Sequence, residues 1–161
     1  MTAFTAMACL AFIIYRLYFE VPPPQKQNKR QQVTHIKVGD SLTSFITDKA
    51  NKRSILFLAL SSQCDFCIQE IPFYKKIQSQ FPEISMIGLF SDGEAQIQGF
   101  LQKKEFKINT RSAIKFSALG ISGTPTMILC NPQRVVLNIW EGSIKIEQHH
   151  QLLSTLSEIH F

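Results

Sequence analysis

The stretch SILFLALSSQCDFCIQEIP, Ser54–Pro72, decides the fold. It opens on a continuous apolar run bounded by polar residues, which suits a strand buried on both faces. Two cysteines three apart, Cys64 and Cys67, follow after SSQ. From Cys64 to about Gln80, Ile68, Ile71, Tyr74 and Ile77 recur at helical spacing, so the cysteines fall at a strand-to-helix junction. They are open to three readings: a redox pair, two metal ligands, or two small buried apolar residues.

The junction favours the first. A helix begins with unpaired N–H groups pointing outward, and these together with the helix dipole stabilise an anion. A cysteine there is the better thiolate. One turn of helix brings the second sulfur near the first. That spacing lets Cys64 attack a disulfide and Cys67 release it by a second exchange. Structural zinc needs four ligands. The chain has no second CxxC, and His149 and His150, adjacent on a helix, point in different directions. The other two cysteines, Cys9 and Cys130, lie in apolar runs and read as inert buried residues.

Downstream, short elements alternate. Ile84–Phe90 (ISMIGLF) reads as a second buried strand and Glu94–Glu105 as an amphipathic helix. Arg111–Ala118 reads as a short helix. Thr126–Cys130 (TMILC) and Val135–Trp140 (VVLNIW) are strands either side of an NPQR turn, and Ser143–Ile159 is a closing helix. Upstream, HIKVGDSLTSF is an extended lead-in with a turn at Gly39–Asp40. The order β-α-β-α-(α)-β-β-α implies an α/β domain, its central mixed sheet carrying helices on both faces.

The N-terminus differs. Thr2–Tyr15 holds no charge, and Thr2–Phe19 would make a helix of roughly 27 Å. Against a hydrocarbon core of about 30 Å this just spans, with Arg16 reaching the headgroups and Tyr15 and Tyr18 at the interface. A cleaved signal peptide is the rival, but Thr2–Phe4 has no base and YRLYFEVPPP lacks small residues. Residues 1–20 are therefore expected to be an uncleaved transmembrane anchor, 21–33 a Pro-rich polar linker, and 34–161 the folded domain. Positive charges near the span, Lys26, Lys29 and Arg30, would by themselves put that domain in the cytoplasm.

The bulk composition agrees with one folded domain. The chain has 161 residues, 45% apolar and 18% charged, enough for a sizeable core. Its net charge of +5 is partly local to QKQNKR beside the apolar run, which fits a membrane flank better than nucleic-acid binding. No basic stripe interleaved with aromatics and no Gly-rich phosphate loop is present.

GISGTPTMIL, Gly120–Leu129, gives the junction a context. CxxC after a buried strand, with G-x-x-G-T-P-T before a later strand, resembles the thioredoxin superfamily. VGDSLTSF (Val38–Phe45), CDFCIQEIP, GTPT and NPQRVVLNIWEG, closing on Gly142, are together similar to the membrane-anchored TlpA/ResA-like thiol–disulfide oxidoreductases. The resemblance covers Val38 to the end. It implies a thioredoxin-like fold, Cys64 as attacking nucleophile, Cys67 as resolving thiol, and Pro125 as a cis-proline facing the disulfide. Thr124 would present its backbone to the substrate, with Asp65 and Phe66 beside it. Glu70 matches an acid that tunes thiol protonation; its alternative is a solvated carboxylate in an early helical turn. No cofactor is implied beyond the cysteine pair, and no metal.

The same resemblance implies protein thiol and disulfide substrates, an electron-donating membrane or thioredoxin partner, no nucleic acid, and a domain on the periplasmic side of the membrane. The side is opposite to that favoured by the basic residues. Three positions depart from the family pattern. Gln63 stands where many relatives have Trp, Leu58 stands near the superfamily's buried strand acid, and Asp65-Phe66 separates the cysteines. An Asp beside Cys64 opposes thiolate formation by like charge, which points to a low potential and a reductant. Two alternatives stay open: a non-catalytic binding module of the same fold, and a Cu(I)-handling protein using the soft thiolate pair.

Overall fold

The computed structural model describes residues 35–43 and 53–158. The expected anchor and linker lie outside those residues. Among the described residues no helix is long and apolar enough to cross a membrane. Five strands form one mixed sheet: β1 (Ile55–Leu60), β2 (Ser85–Phe90), β3 (Asn109–Arg111), β4 (Thr126–Cys130) and β5 (Val136–Glu141), in the order β3-β2-β1-β4-β5. β1 pairs parallel with β2 and β2 with β3, whereas β4 is antiparallel to both β1 and β5. Among the described residues the helices are α1 (Asp65–Gln80), α2 (Glu94–Lys103) and α3 (Ile146–Glu158), with one 3₁₀ turn at Phe116–Leu119.

β1 is the middle strand, and all six of its residues are buried. Alternate side chains of a strand point to opposite faces. Leu56, Leu58 and Leu60 accordingly enter one core, and Ile55, Phe57 and Ala59 the other. This explains the unbroken apolar run, since neither face can be polar. The first core receives Ile71, Tyr74 and Ile77 of α1, Ile97 and Leu101 of α2, and Leu152 and Leu156 of α3. The second is closed by Ile36 and Leu42 of the lead-in and by Leu119 and Ile121. Among the described residues all three α-helices thus share one face, while extended chain and the 3₁₀ turn lie on the other.

The topology accounts for that division. The steps β1–α1–β2 and β2–α2–β3 move in one direction along the sheet, and right-handed crossovers put both helices on one side. The chain must then return past β1 to reach β4, and it does so across the opposite face through residues 112–125. Gly88 of β2 lies opposite Leu58 and Thr110. A β-carbon there would come within 2.7 Å of Ile108 Cδ1 and Phe90 Cε2, so any larger residue must push those side chains aside.

Three boundaries differ from the sequence expectation. The helix expected at Arg111–Ala118 is instead the end of β3 plus the 3₁₀ turn, because Thr110 and Arg111 pair with Gly88 and Leu89. α2 stops at Lys103, with Glu105 at φ +49° and the Phe106 N–H donating back to Leu101 O at 3.0 Å. α3 begins at Ile146, after Ser143 and Ile144 have been engaged by a side chain from α1. The lead-in turn is as expected. The Lys37 N–H donates to Asp40 Oδ2 at 2.8 Å, and Gly39 sits at φ +92°, a region that glycine adopts without strain.

Candidate active site

After Leu60 the chain turns through Ser61–Gln63, and α1 begins with Cys64 as its N-cap. The Cys67 N–H donates to Cys64 Sγ at 3.2 Å. Sulfur therefore occupies the place usually taken by a Ser, Thr, Asp or Asn oxygen. Any negative charge developing on Cys64 lies against a free N–H at the positive end of the helix dipole, which lowers the cost of a thiolate. Cys64 is half-buried and Cys67 fully buried. The two are joined as a disulfide, with Cα atoms 5.2 Å apart. A partner can reach one sulfur while the other waits beneath it, the asymmetry that sequential exchange needs.

Sheet register brings the distant motif to this junction. β4 runs antiparallel to β1 with Thr126 opposite Ala59, so the residues just before β4 lie beside those just after β1. The Thr124 carbonyl oxygen is 3.5 Å from Cys64 Sγ, and the Thr124–Pro125 peptide is cis. The loop is held from two sides. Thr126 Oγ1 donates to Gly123 O at 2.8 Å, and the Gly142 N–H donates to Pro125 O at 2.8 Å. Gly142 does this at φ +77°, where a β-carbon is disfavoured. Asp65 is exposed in the first helical turn, and Phe66 is 59% exposed, an apolar surface next to the reachable sulfur.

Glu70 is not solvated: it is 5% exposed. Ser143 Oγ donates to its Oε1 at 2.5 Å, and the Ile144 N–H donates to the same oxygen at 3.2 Å. His149 Nε2 lies 3.3 Å from Oε2, with its ring stacked on Phe73 at 3.7 Å and 14°. Tyr74, one turn further along α1, has its hydroxyl pushed well above the ordinary phenol range by burial, with the Glu70 charge acting the same way. Leu58, near the expected place of a strand acid, is fully buried between Gly88 and Met127 in the register. The buried carboxylate on this face of the sheet therefore comes from α1.

Three contributing residues escaped the sequence reading. Asp92, in the loop after β2, takes the Ser62 Oγ–H on Oδ1 at 2.6 Å and the Ser62 N–H on Oδ2 at 3.2 Å, fixing the turn before Cys64. Ser143 and His149 form the Glu70 cradle. No spacing rule links Ser62 to Asp92 or Glu70 to His149, which meet only through the fold. In the sequence His149 stands out only as a candidate metal ligand. It is half-buried toward Glu70, while its neighbour His150 is exposed. Cys130 is a free, buried thiol pushed up to about 12 by burial, against a smaller opposing pull from Arg134. Among the described residues no group of three or more His, Cys, Asp or Glu side chains is gathered to hold a metal.

The sheet order and a CxxC at the head of α1 beside a cis-proline define a thioredoxin-like fold. Solved structures carry the same fold. A thiol-disulfide isomerase from Corynebacterium glutamicum matches with a TM-score of 0.59 and 14% identity, over 78% of this chain and 96% of that one. StoA from Bacillus subtilis matches with a TM-score of 0.55 and 17% identity, over 68% and 86%. The thioredoxin domain of a thiol-disulfide oxidoreductase from Bacteroides vulgatus matches with a TM-score of 0.55 and 16% identity, over 65% and 79%. No family model matches the sequence, and no curated protein matches it. At these identities the likeness is one of fold, and the thioredoxin-like fold expected from the sequence is the one observed.

Proposed function

We infer that the chain is a membrane-tethered thiol–disulfide oxidoreductase that reduces protein disulfides through Cys64 and Cys67. The observation that carries this is the position of Cys64 Sγ. It caps α1, receives the Cys67 N–H at 3.2 Å and lies 3.5 Å from Thr124 O beside cis-Pro125. In the reductive direction Cys64 attacks a substrate disulfide and forms a mixed disulfide. Cys67 then attacks Cys64 Sγ, releasing the reduced substrate and leaving the protein pair oxidised. An extended substrate segment would meet the Thr124 backbone on one side and the Asp65–Phe66 tip on the other. The solved structures with this fold include proteins named as thiol-disulfide oxidoreductases and isomerases, which supports exchange chemistry here. Glu70, buried one turn beyond Cys67, is the candidate acid–base group for the resolving thiol.

The direction follows from Asp65, whose carboxylate next to Cys64 opposes the thiolate and so favours the oxidised pair. An electron donor in the membrane or a thioredoxin-like partner would regenerate the dithiol. Anchoring by residues 1–20, with the domain on the periplasmic side, completes the proposal. The deciding experiment is the reduction potential of Cys64–Cys67, by equilibration in defined thiol buffers and counting of alkylated cysteines by mass. A potential near or below about −220 mV supports the reductant. One above about −150 mV reverses the direction to an oxidant or isomerase. A pair that forms no disulfide at any poise would leave the binding-module or Cu(I) reading in its place.

A further inference from the structure

Glu70 has two carboxylate oxygens with separate supports. Oε1 receives Ser143 Oγ and the Ile144 N–H, both from the connection between β5 and α3. Oε2 receives, among the described residues, His149 alone. His149 is itself fixed by its stack on Phe73, and its side chain is 25% exposed, so it links the sealed carboxylate to solvent. Cys67 lies one turn before Glu70 on α1, and residues three apart on a helix have β-carbons about 5–6 Å apart. The groups facing Glu70 are thus Cys67 and Tyr74 from α1, Ser143 and the Ile144 amide from the connection, and His149 from α3. Lys145, Glu147 and His150 are exposed.

We propose that His149 is a positioning residue for the closing step of exchange: by holding Oε2 it keeps Glu70 oriented to take the Cys67 proton. The proposal rests on the exchange reading above. In that step the Cys67 thiol gives its proton to Glu70, and the resulting thiolate attacks Cys64 Sγ. The bond between Cys64 and the substrate sulfur breaks as the Cys64–Cys67 bond forms. The electron pair leaves on the substrate thiolate, which takes a proton from water. The protein dithiol is oxidised and the substrate disulfide reduced. Removing His149 strips the buried carboxylate of the one donor its Oε2 has among the described residues, which weakens the support for its charged form.

The test is the rate of closing in the full-length reduced chain with saturating oxidised glutathione as probe, from pH 5 to 9. The wild type, His149→Gln and His149→Leu are compared. His149→Leu, with no donor for Oε2, should close about tenfold more slowly at pH 7, with its profile displaced to higher pH. His149→Gln keeps an N–H donor and should stay within about threefold of wild type at pH 7. A merely structural role would lower rates without moving either profile. The proposal is overturned if the His149→Leu profile superimposes on wild type in shape and position, or if His149→Gln is displaced as far as His149→Leu. Should His149→Leu not fold, a loss of about tenfold at pH 7 in His149→Gln overturns it alone. A wild-type chain that glutathione does not oxidise overturns the exchange reading itself, a separate and distinguishable result.

Discussion

Replacing Asp92 should damage both stability and exchange, although Asp92 is in neither cysteine motif. Its two oxygens hold the Ser62 hydroxyl at 2.6 Å and the Ser62 amide at 3.2 Å, across thirty residues of sequence. A hydrogen bond to a charged acceptor contributes about 1.5–3 kcal/mol when well buried. The Asp92 pair is only part-buried, so Asp92→Ala should cost about 2 kcal/mol in total rather than the sum. For a domain of this size that corresponds to a fall in Tm of roughly 8 °C. Ser62→Ala removes only the hydroxyl bond and should cost about 1 kcal/mol. Asp92→Asn keeps an acceptor for the amide and should fall between the two. A double-mutant cycle on Ser62 and Asp92, read by urea unfolding, should return a coupling of about 1 kcal/mol. The turn they fix leads directly into Cys64, and small misplacement of a reacting atom is costly, so the exchange rate of Asp92→Ala should fall about tenfold. A coupling below about 0.3 kcal/mol with an unchanged rate would refute the reasoning, because additivity within that error is what independent sites give.

Three further outcomes follow from burial. In the native reduced chain iodoacetamide should modify Cys64 well before Cys67, which is fully buried, or Cys130, which is buried and held near 12; equal labelling of Cys130 on peptide mapping contradicts this. Tyr74→Phe should stabilise the fold by about 1 kcal/mol, since the hydroxyl is buried with no partner among the described residues. Because the Tyr74 pKa is raised in the folded state, its contribution is present below the unfolded value of 10.0 and lost as pH rises above it, so Tyr74→Phe should also flatten the alkaline fall in Tm. Gly88→Ala should cost about 1–3 kcal/mol, with Ile108 and Phe90 forced aside, and a melt within 1 °C of wild type would show that the packing gives way freely.

The elements that were legible in the sequence are those whose signal is local. β1 shows itself because both its faces are apolar, and α1 because Ile68, Ile71, Tyr74 and Ile77 keep helical spacing within a helix of sixteen residues. CxxC and GTPT are short motifs, and each marks its own loop. β3 was missed because three residues on an edge carry no periodicity; its pairing with Ile87–Leu89 is visible only once β2 is in place. The solvated reading of Glu70 failed for the same reason. Its helical position leaves it outward or inward depending on where α3 packs, and the residues that settle this, Ser143, Ile144 and His149, are more than seventy positions away.

That distance also bears on how the site can work. The nucleophile needs only local structure: Cys64 and the Cys67 N–H belong to one helix terminus, and a thiolate there is favoured wherever that helix is formed. The resolving thiol is different. Cys67 sits in the core with Leu56, Leu58 and Leu60 around it, where an unaided thiolate is opposed by burial. Its relief must come from a group already inside the protein, and the strand beneath it offers none, since β1 is apolar throughout. Glu70 can occupy that core because Ser143, Ile144 and His149 supply donors in place of water. The first half of exchange is thus written into the CxxC junction, and the second half depends on α3 being docked. Loosening α3, for instance by Leu152→Ala in its fully buried contact, should then slow the closing step more than attack by Cys64. Single-turnover kinetics separating mixed-disulfide formation from its resolution would read the two halves independently. Equal slowing of both would show that the resolving thiol draws nothing from the Glu70 cradle.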